Sequence, residues 1–325
     1  MALDLSRPVS VIIPTYNRLH YLEESLESVL NQTYRNIEVI VCDNASTDGT
    51  GKFLKNKNSE RIKHIRHDKI IPPLENWNSW SSMAEGELVT FLPDDDKLEP
   101  FFIEKCVTEF LNKEDTVLVK AGCFIINEES EVTSNYLPFK DSSTSGFQFV
   151  LDRLNPRYSE LSLGSGYMFR KNDFEKVGGF INAGFPQMHF VDDYLWFRIA
   201  LNGGVVRYIN EELWCYRDHS SNMAIVNSLQ GFKNSFKEYV PMLLNLLNRD
   251  ESSFSKIIDY IKYDYAEDQI KGRILSGLAR NRRRKFIQSI SYMYSNRKII
   301  IEYYGVKRLL YESALNLALK MVASI

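Results

Sequence analysis

Short apolar runs alternate with amphipathic segments over the first 127 residues of the chain. The run "VSVIIPTY" is followed by "LEESLESVLNQ", in which Leu22, Leu26 and Val29 fall on one face of a helix. Two further apolar runs, "IEVIVCDN" and "ELVTFL", are bordered by helical segments in the same way. This order predicts an α/β fold with a mostly parallel sheet that is flanked by helices on both faces.

The second half begins with a polar, irregular segment, residues 128–162, which is a candidate for a mobile loop. A strand, a helix and another strand are predicted after it, over Gly164–Arg170, Val191–Asn202 and Val205–Tyr216. From about residue 225 the pattern is helical to the end. We therefore predict a sheet domain over 1–224, with halves at about 1–127 and 128–224, and a C-terminal helical extension over 225–325.

Composition and charge narrow the class of protein. The 325 residues are 44% hydrophobic and 13% aromatic, which is typical of a soluble globular chain. A net charge of -2 argues against a nucleic-acid partner. The four scattered cysteines predict buried free thiols in a reducing compartment. Because we see neither a secretion signal nor a run of about 18 apolar residues, we predict a cytoplasmic protein.

Polar residues gather where three of the predicted strands end. They are "PTYNR" after the first strand, "CDNASTDGT" after the second and "PDDD" after the fourth. Ligands of parallel α/β sheets bind at this edge. The chain has neither a G-x-x-x-x-G-K-[ST] loop nor a G-x-G-x-x-G after the first strand. A divalent metal held by carboxylates is therefore the expected way to bind phosphate.

Taken in order, four segments resemble the nucleotide-sugar-dependent glycosyltransferases of family 2, and the resemblance extends over about residues 8–220. The segments are "VSVIIPTYNR", "LEESLESVLNQTY", "IEVIVCDNASTDGT" and "AEGELVTFLPDDD". The resemblance implies the GT-A fold. It also implies inverting transfer of a sugar from a nucleoside diphosphate donor, expected to be a UDP-sugar, to an acceptor hydroxyl.

The resemblance also assigns a set of donor-binding residues. The family's usual Asp-Asp pair after the second strand is Asp43-Asn44 in this chain. An asparagine in the second place leaves the choice among UDP, dTDP and GDP open. The implied donor-binding residues are Pro14, Thr15, Tyr16, Asn17, Arg18, Asp43, Asn44, Asp94 and Asp95.

A Mn²⁺ or Mg²⁺ cofactor is implied by the family's D-x-D pattern, which aligns with "LPDDD". The alignment puts the metal-binding aspartate at Asp95, with Asp96 beside it, and puts Pro93 where relatives often carry another acid. The segment "LWCYRDHSSN" resembles a later motif from which His219 could reach the metal, and a structural role for this histidine stays open. For the acidic run itself, the alternative is a solvated turn that caps the next helix.

The segment "HFVDDYLWFRIALNGG" resembles the acidic motif that supplies the family's catalytic base. Asp192 is the implied base, because inverting transfer needs a carboxylate that takes the proton of the acceptor hydroxyl. Capping of the following helix is the alternative for Asp192. Acceptor-side and supporting roles are implied for Gly164, Ser165, Gly166, Asp193 and Arg217.

The C-terminal region carries a basic cluster, "ARNRRRKF", and a nearly all-apolar helical segment, "VKRLLYESALNLALKMVASI". Two interpretations stay open: peripheral contact with the inner face of an anionic plasma membrane, or packing and homo-oligomerisation through these helices. Membrane contact would suit a saccharide acceptor that is carried on a lipid. The resemblance to family 2 glycosyltransferases also implies a role in the assembly of surface polysaccharide or lipopolysaccharide.

Two other functions stay open at this point. A sugar-phosphate nucleotidyltransferase also uses a nucleotide-binding α/β sheet, but its Gly-rich loop after the first strand is missing from "PTYNRLHYLEE". A non-catalytic protein that binds sugar nucleotides would be expected to lack the metal or base carboxylates, yet Asp95 and Asp192 are both present.

Overall fold

A computed structural model describes residues 3–4, 6–137, 142–153, 164–181, 191–219, 222, 242 and 245–246, which belong to one compact unit. The strands are β1 Val9–Thr15, β2 Ile37–Asp43, β3 Ile62–Arg66, β4 Leu88–Phe91, β5 Lys97–Leu98, β6 Thr116–Ile126, β7 Val132–Tyr136, β8 Ser143–Ser145, β9 Tyr167–Arg170 and β10 Val205–Arg217. The helices are α1 Leu19–Leu30, α2 Thr50–Lys57, α3 Pro73–Asn78, α4 Phe102–Asn112, α5 Gly146–Arg153, α6 Lys171–Lys176 and α7 Val191–Leu201.

The strands form one sheet in the order β3-β2-β1-β4-β9-β6-β10-β5. The first four strands of this order are parallel, as the alternation of apolar and amphipathic runs predicts. Beyond β4 the sheet is mixed: β9 is antiparallel to both β4 and β6, and β10 is parallel to β6. The α/β architecture is confirmed, and every antiparallel pairing given by the described residues includes a strand that lies beyond residue 127.

The core lies between the sheet and the helices that the periodicity predicts. Every residue of β2 is buried, which is typical of a strand covered on both faces. In α1 the side chains of Leu22, Leu26 and Val29 are wholly buried, so the predicted face is the one that packs on the sheet. Burial of each such side chain contributes about 1.5–3 kcal/mol. The four cysteines are buried free thiols, as predicted.

The polar segment 128–162 contains more regular structure than its sequence indicates. It holds β7, which pairs with β6, then β8, which pairs with β10, and then α5. Because β7 is an exposed outer strand, its residues are mostly polar and do not alternate with apolar ones. Residues 138–141 and 154–162 of this segment lie outside the described part of the chain.

The predicted helical region 225–325 lies outside the described residues except for 242 and 245–246, so its boundary stays a prediction. Within the residues that the structure describes, no helix combines the length and the apolarity needed to cross a bilayer.

Three strand ends and one strand start share an edge of the sheet. The carboxyl ends of β1, β2 and β4 lie at this edge because the three strands are parallel. Since β9 is antiparallel to β4, with Met168 opposite Thr90, the residues just before β9 lie at the same edge. The segments predicted to bind the donor and the acceptor are therefore neighbours.

Candidate active site

Three consecutive aspartates form a tight, buried turn after β4, which we call the acidic turn (Asp94–Asp96). The backbone amide of Asp96 donates to the carbonyl of Pro93 over 3.1 Å. Exposure of the three residues lies between 2% and 8%, so the turn is not a solvated loop. The short strand β5 follows and pairs with β10, which brings Arg217 and His219 to the turn.

Two cationic or potentially cationic side chains face the carboxylates. Nη1 of Arg18 lies 2.6 Å from Oδ2 of Asp95 and 3.3 Å from Oδ1 of Asp94. Nε2 of His219 lies 3.0 Å from the same oxygen of Asp95. The hydroxyl of Thr15 donates to Asp94 over 2.7 Å. Residues at or just after the carboxyl ends of β1, β4 and β10 thus meet at one point.

Burial and mutual repulsion give the three acids different proton affinities. Burial, reinforced by the charge of Asp95, raises the pKa of Asp94 to about 7. The same two causes raise the pKa of Asp96 well above its usual range. At Asp95 burial acts in the same direction, but the hydrogen bond from His219 and the charge of Arg18 outweigh it and lower the pKa. Asp95 is therefore the member of the turn that most readily carries a negative charge.

Arg217 joins the acidic turn to two other parts of the structure. Its side chain is wholly buried, and its backbone amide donates to Asp96 over 2.9 Å. Arg217 therefore supports the acidic turn through these contacts. A contact between Arg217 and a diphosphate stays a prediction. The guanidinium donates to the carbonyls of Asp95, Asn127 and Glu128, the hydroxyl of Ser130 and the carboxylate of Glu24.

Asp43 ends β2 and lies opposite Thr15 in the sheet register. Its Oδ2 is 2.5 Å from Nη1 of Arg66 and 3.3 Å from Nε2 of His64, and its Oδ1 accepts the amide of Ser46 over 2.7 Å. Burial opposes ionisation, but the hydrogen bonds from His64, Ser46 and Arg66 hold the pKa of Asp43 well below its usual range. Asp43 is therefore a fixed negative charge at the sheet edge.

The other side chain predicted at the end of β2 is already engaged. Asn44 is buried, and its Nδ2 donates to the carbonyl of Ile71 over 2.9 Å. Its Oδ1 accepts the amide of Ile71 over the same distance. An amide oxygen has a second lone pair, so recognition of a base by Asn44 stays a prediction.

The residues after β1 are attached to the loop after β2. Asn17 adopts a left-handed conformation, with φ of 52°, and its Oδ1 accepts the amide of Thr47 over 2.7 Å. Its own amide donates to the hydroxyl of Ser46 over 2.9 Å. This attachment leaves the ring of Tyr16 45% exposed, while Pro14 is half-buried inside β1. An exposed aromatic ring at this edge is available to a ligand.

The second pair of acids begins α7. Asp192 is half-buried and Asp193 is buried, and the amide of Asp193 donates to Oδ1 of Asp192 over 2.9 Å. Oδ1 of Asp193 pairs with Nη2 of Arg153, a side chain that is 3% exposed. Burial and the charge of Asp193 raise the pKa of Asp192 to about 6, although Arg153 acts against them. Asp192 is thus a partly accessible carboxylate that can accept a proton near neutral pH.

Residues 164–166 form what we call the glycine turn, which contacts Asp192 directly. A Cβ atom on Gly164 would lie 1.6 Å from Oδ2 of Asp192. A Cβ atom on Gly166, whose φ is 77°, would lie 2.1 Å from Nε1 of Trp214. Both glycines therefore permit a close backbone approach that any other residue would prevent.

Lys120 is a buried cation at the glycine turn. Its Nζ donates to the carbonyl of Ser165 and lies 4.3 Å from the ring centroid of Tyr167 and 4.9 Å from that of Trp214. Burial lowers the pKa of Lys120 to about 7. The sequence pattern did not identify Lys120 or Arg153 as part of the site. A lone lysine inside the apolar run "TVLVKAGCFII" was a usable signal, whereas Arg153 follows no pattern that would single it out.

The acidic turn offers fewer protein ligands than a complete metal site needs. Among the described residues, no group of three or more His, Cys, Asp or Glu side chains could hold a metal ion. Mg²⁺ is nevertheless commonly bound through one or two carboxylates together with substrate phosphates. Asp95 and His219, whose donor atoms lie 3.0 Å apart, fit that kind of incomplete site.

Comparison with known protein families identifies the family whose sequence profile matches this chain. The sequence profile described as "Glycosyl transferase family 2" matches residues 10–178 of the chain. This span includes the acidic turn and the glycine turn, whereas Asp192 and His219 lie beyond it.

Two relatives and one solved structure are similar over most of the chain. The GalNAc(5)-diNAcBac-PP-undecaprenol beta-1,3-glucosyltransferase of Campylobacter jejuni is 28% identical over 264 residues, which cover 78% of each protein. The UDP-Glc:alpha-D-GlcNAc-diphosphoundecaprenol beta-1,3-glucosyltransferase WfaP of Escherichia coli is 26% identical over 236 residues, which cover 71% of this chain and 82% of WfaP. The crystal structure of S. aureus TarS 1-349 in complex with UDP has a TM-score of 0.59 at 18% identity and covers 87% of this chain and 80% of that one. This likeness confirms the expected GT-A fold.

Proposed function

The chain belongs to glycosyl transferase family 2, and we propose that it moves a hexose from a UDP-sugar to an acceptor hydroxyl with inversion at the anomeric carbon. The observation that carries the proposal is the half-buried carboxylate of Asp192, which contacts the glycine turn. That turn precedes β9 at the sheet edge where β4 ends in the acidic turn. The proposed base and the proposed diphosphate-binding group therefore lie along one edge of the sheet.

The donor is proposed to bind across the ends of β1, β2 and β4. Tyr16 offers an exposed aromatic residue for the nucleobase, and Asp43 supplies a fixed charge opposite Thr15, the residue before Tyr16. Arg18 is 26% exposed and can turn from Asp94 and Asp95 toward a diphosphate. The name of the E. coli relative specifies UDP-Glc as its donor, which supports a UDP-sugar here.

A Mn²⁺ or Mg²⁺ ion is proposed to accompany the diphosphate. Asp95 would hold it, with His219 as the second protein ligand and Asp96 beside them. When bound, the ion would act as a Lewis acid that neutralises the charge of the departing diphosphate. Arg18 shares the Oδ2 atom of Asp95, so metal binding would require that contact to open.

Asp192 is proposed to act as the general base. Its carboxylate takes the proton of the acceptor hydroxyl while the hydroxyl oxygen attacks the anomeric carbon. The bond between that carbon and the diphosphate oxygen breaks, and the bonding electrons leave with UDP. Since attack and departure occur on opposite faces, one displacement inverts the configuration. Because residue 164 is a glycine, backbone rather than a side chain lies against the proposed base.

The acceptor is proposed to be a lipid-linked saccharide used in surface polysaccharide or lipopolysaccharide assembly. Both glucosyltransferases compared above have undecaprenyl-diphosphate acceptors and beta-1,3 linkages in their names. Contact with the inner face of the membrane, or homo-oligomerisation, would use residues 225–325. Flotation with anionic liposomes tests the first of these, and a protein that stays at the bottom of the gradient would remove it.

The proposal is tested by UDP release over a panel of nucleotide sugars and saccharide acceptors, with and without Mn²⁺. We expect metal-dependent UDP release with at least one UDP-sugar, and a loss of about 10²–10⁴ in turnover for Asp192→Asn with donor binding retained. Equal turnover by Asp192→Asn would exclude this residue as the base. Release of pyrophosphate would indicate a nucleotidyltransferase, and donor binding without any turnover would indicate a binding protein.

A further inference from the structure

A buried ion pair that the proposed reaction does not use lies next to the base. Arg153 ends α5, and its Nη2 contacts Oδ1 of Asp193 on α7. The amide of Asp193 in turn donates to Oδ1 of Asp192 over 2.9 Å. An unbroken series of contacts therefore leads from the guanidinium of Arg153 to the carboxylate of the base.

This arrangement is costly for stability alone. Removing two charges from water is only partly repaid by their attraction, and buried ion pairs can often be replaced by apolar residues without loss. Nη1 of Arg153 is also buried, and no hydrogen-bond partner for it occurs within the described residues. A buried guanidinium with incomplete hydrogen bonding stabilises the packing of α5 against α7 less well than an apolar side chain would. A role at the neighbouring base therefore explains the presence of Arg153 better than packing does.

We infer that Arg153 is a positioning residue for the base: paired with Asp193, it fixes the first turn of α7 and balances the negative charge of Asp193 beside the carboxylate of Asp192. The inference rests on the proposed role of Asp192. Arg153 does not touch the substrate in this scheme. It acts through Asp193, whose own negative charge would otherwise push a proton onto Asp192.

The two members of the pair act on the base in opposite directions. The charge of Asp193 raises the pKa of Asp192, and the charge of Arg153 lowers it. Other titratable groups at this place are Lys120 on β6, Tyr167 on β9 and Tyr208 on β10. These groups are unchanged in variants of the pair, so each substitution has a predicted sign.

The test is the pH profile of kcat for Arg153→Met, Arg153→Lys, Asp193→Asn and the double variant Arg153→Met/Asp193→Asn. Arg153→Met should move the acidic limb upward by about one pH unit, so that kcat falls about fivefold at pH 6 and recovers at pH 8. Asp193→Asn should move the limb downward. Arg153→Lys, which keeps the charge, should stay near the wild type.

The double variant keeps the test decisive if Arg153→Met alone does not fold, because it removes both buried charges together. Its acidic limb should lie above that of Asp193→Asn, because the double variant also lacks the positive charge of Arg153; a limb that coincides with that of Asp193→Asn would overturn the inference. Equal loss at every pH, or shifts of the same sign in Arg153→Met and Asp193→Asn, would overturn the inference. Asp192→Asn separates the two proposals. If Asp192→Asn still turns over, the assignment of Asp192 as the base fails. If Asp192→Asn is inactive but the acidic limb is the same in the Arg153 and Asp193 variants as in the wild type, only the role of Arg153 fails.

Discussion

Replacement of Arg217 by methionine is the perturbation whose cost the structure allows us to work out. Methionine fills similar volume but removes every donor of the guanidinium. The side chain is wholly buried, so water cannot fully replace those donors. We expect the acidic turn to lose its connection to α1 and to the β6–β7 connection, and the protein to lose stability.

The acceptors of Arg217 do not contribute equally to the loss of stability in Arg217→Met. Glu24 is 43% exposed at its side chain, and Glu128 is exposed, so water can satisfy both. The carbonyl of buried Asp95 and that of half-buried Asn127 would be left without their donor. Each such acceptor costs about 1–3 kcal/mol. The free energy of unfolding should therefore fall by about 3 kcal/mol, of a total that is typically 5–15 kcal/mol.

The assay is urea unfolding followed by circular dichroism, with Arg207→Met as a matched control. Arg207 lies on the same strand, β10, but its ion-pair partner, Asp115, is 58% exposed, and its one hydrogen bond to a buried acceptor goes to the hydroxyl of Thr116 over 2.8 Å. Its replacement should cost about 1–2 kcal/mol. Arg217→Lys should recover part of the loss, because a lysine can reach one or two of the acceptors. A loss below 1 kcal/mol for Arg217→Met, or one no larger than that of Arg207→Met, would refute the reasoning.

Further predictions concern the site itself. Gly164→Ala should lower kcat by about tenfold or more, because the new Cβ would lie 1.6 Å from Oδ2 of Asp192 and displace the base. The affinity for UDP, measured by calorimetry, should be unchanged. Burial raises the pKa of Asp192 to about 6, so kcat should rise from pH 5 to pH 7 as the base loses its proton; a flat profile would contradict this. Lys120→Met removes the donor to the Ser165 carbonyl and should raise KM for the acceptor, but not for the donor, in steady-state kinetics. EDTA should abolish UDP binding in calorimetry and Mn²⁺ should restore it; UDP binding unaffected by EDTA would argue against the metal at Asp95.

Local patterns were sufficient to predict the parallel part of the sheet and the edge that carries the site. Apolar runs such as "IEVIVCDN" end in polar residues, and parallel strands bring those ends together. The family resemblance then put Asp95 in the predicted metal site and left His219 as a residue that could reach it. The structure brings them to 3.0 Å although they are 124 residues apart in the chain.

Features that depend on long-range pairing could not be predicted in this way. The two-residue strand β5 is too short to show a period, yet its pairing with β10 brings Arg217 to the acidic turn. Arg153 lies in a polar segment with no distinguishing pattern. Its contact with Asp193 arises only because α5 packs against α7 in the folded chain. Lys120 differs from Arg153, because a single lysine in an otherwise apolar strand is a visible signal, although the sequence does not show which groups it contacts.

The most direct test of the central claim is the configuration of the sugar after one turnover, followed by proton NMR with an α-linked UDP-sugar. The measurement requires no knowledge of the natural acceptor, because slow hydrolysis with water as the acceptor also reports the anomer before it equilibrates. A single displacement assisted by Asp192 predicts the β-anomer as the first product, and Asp192→Asn should form it far more slowly. An α-anomer as the first product would contradict the account.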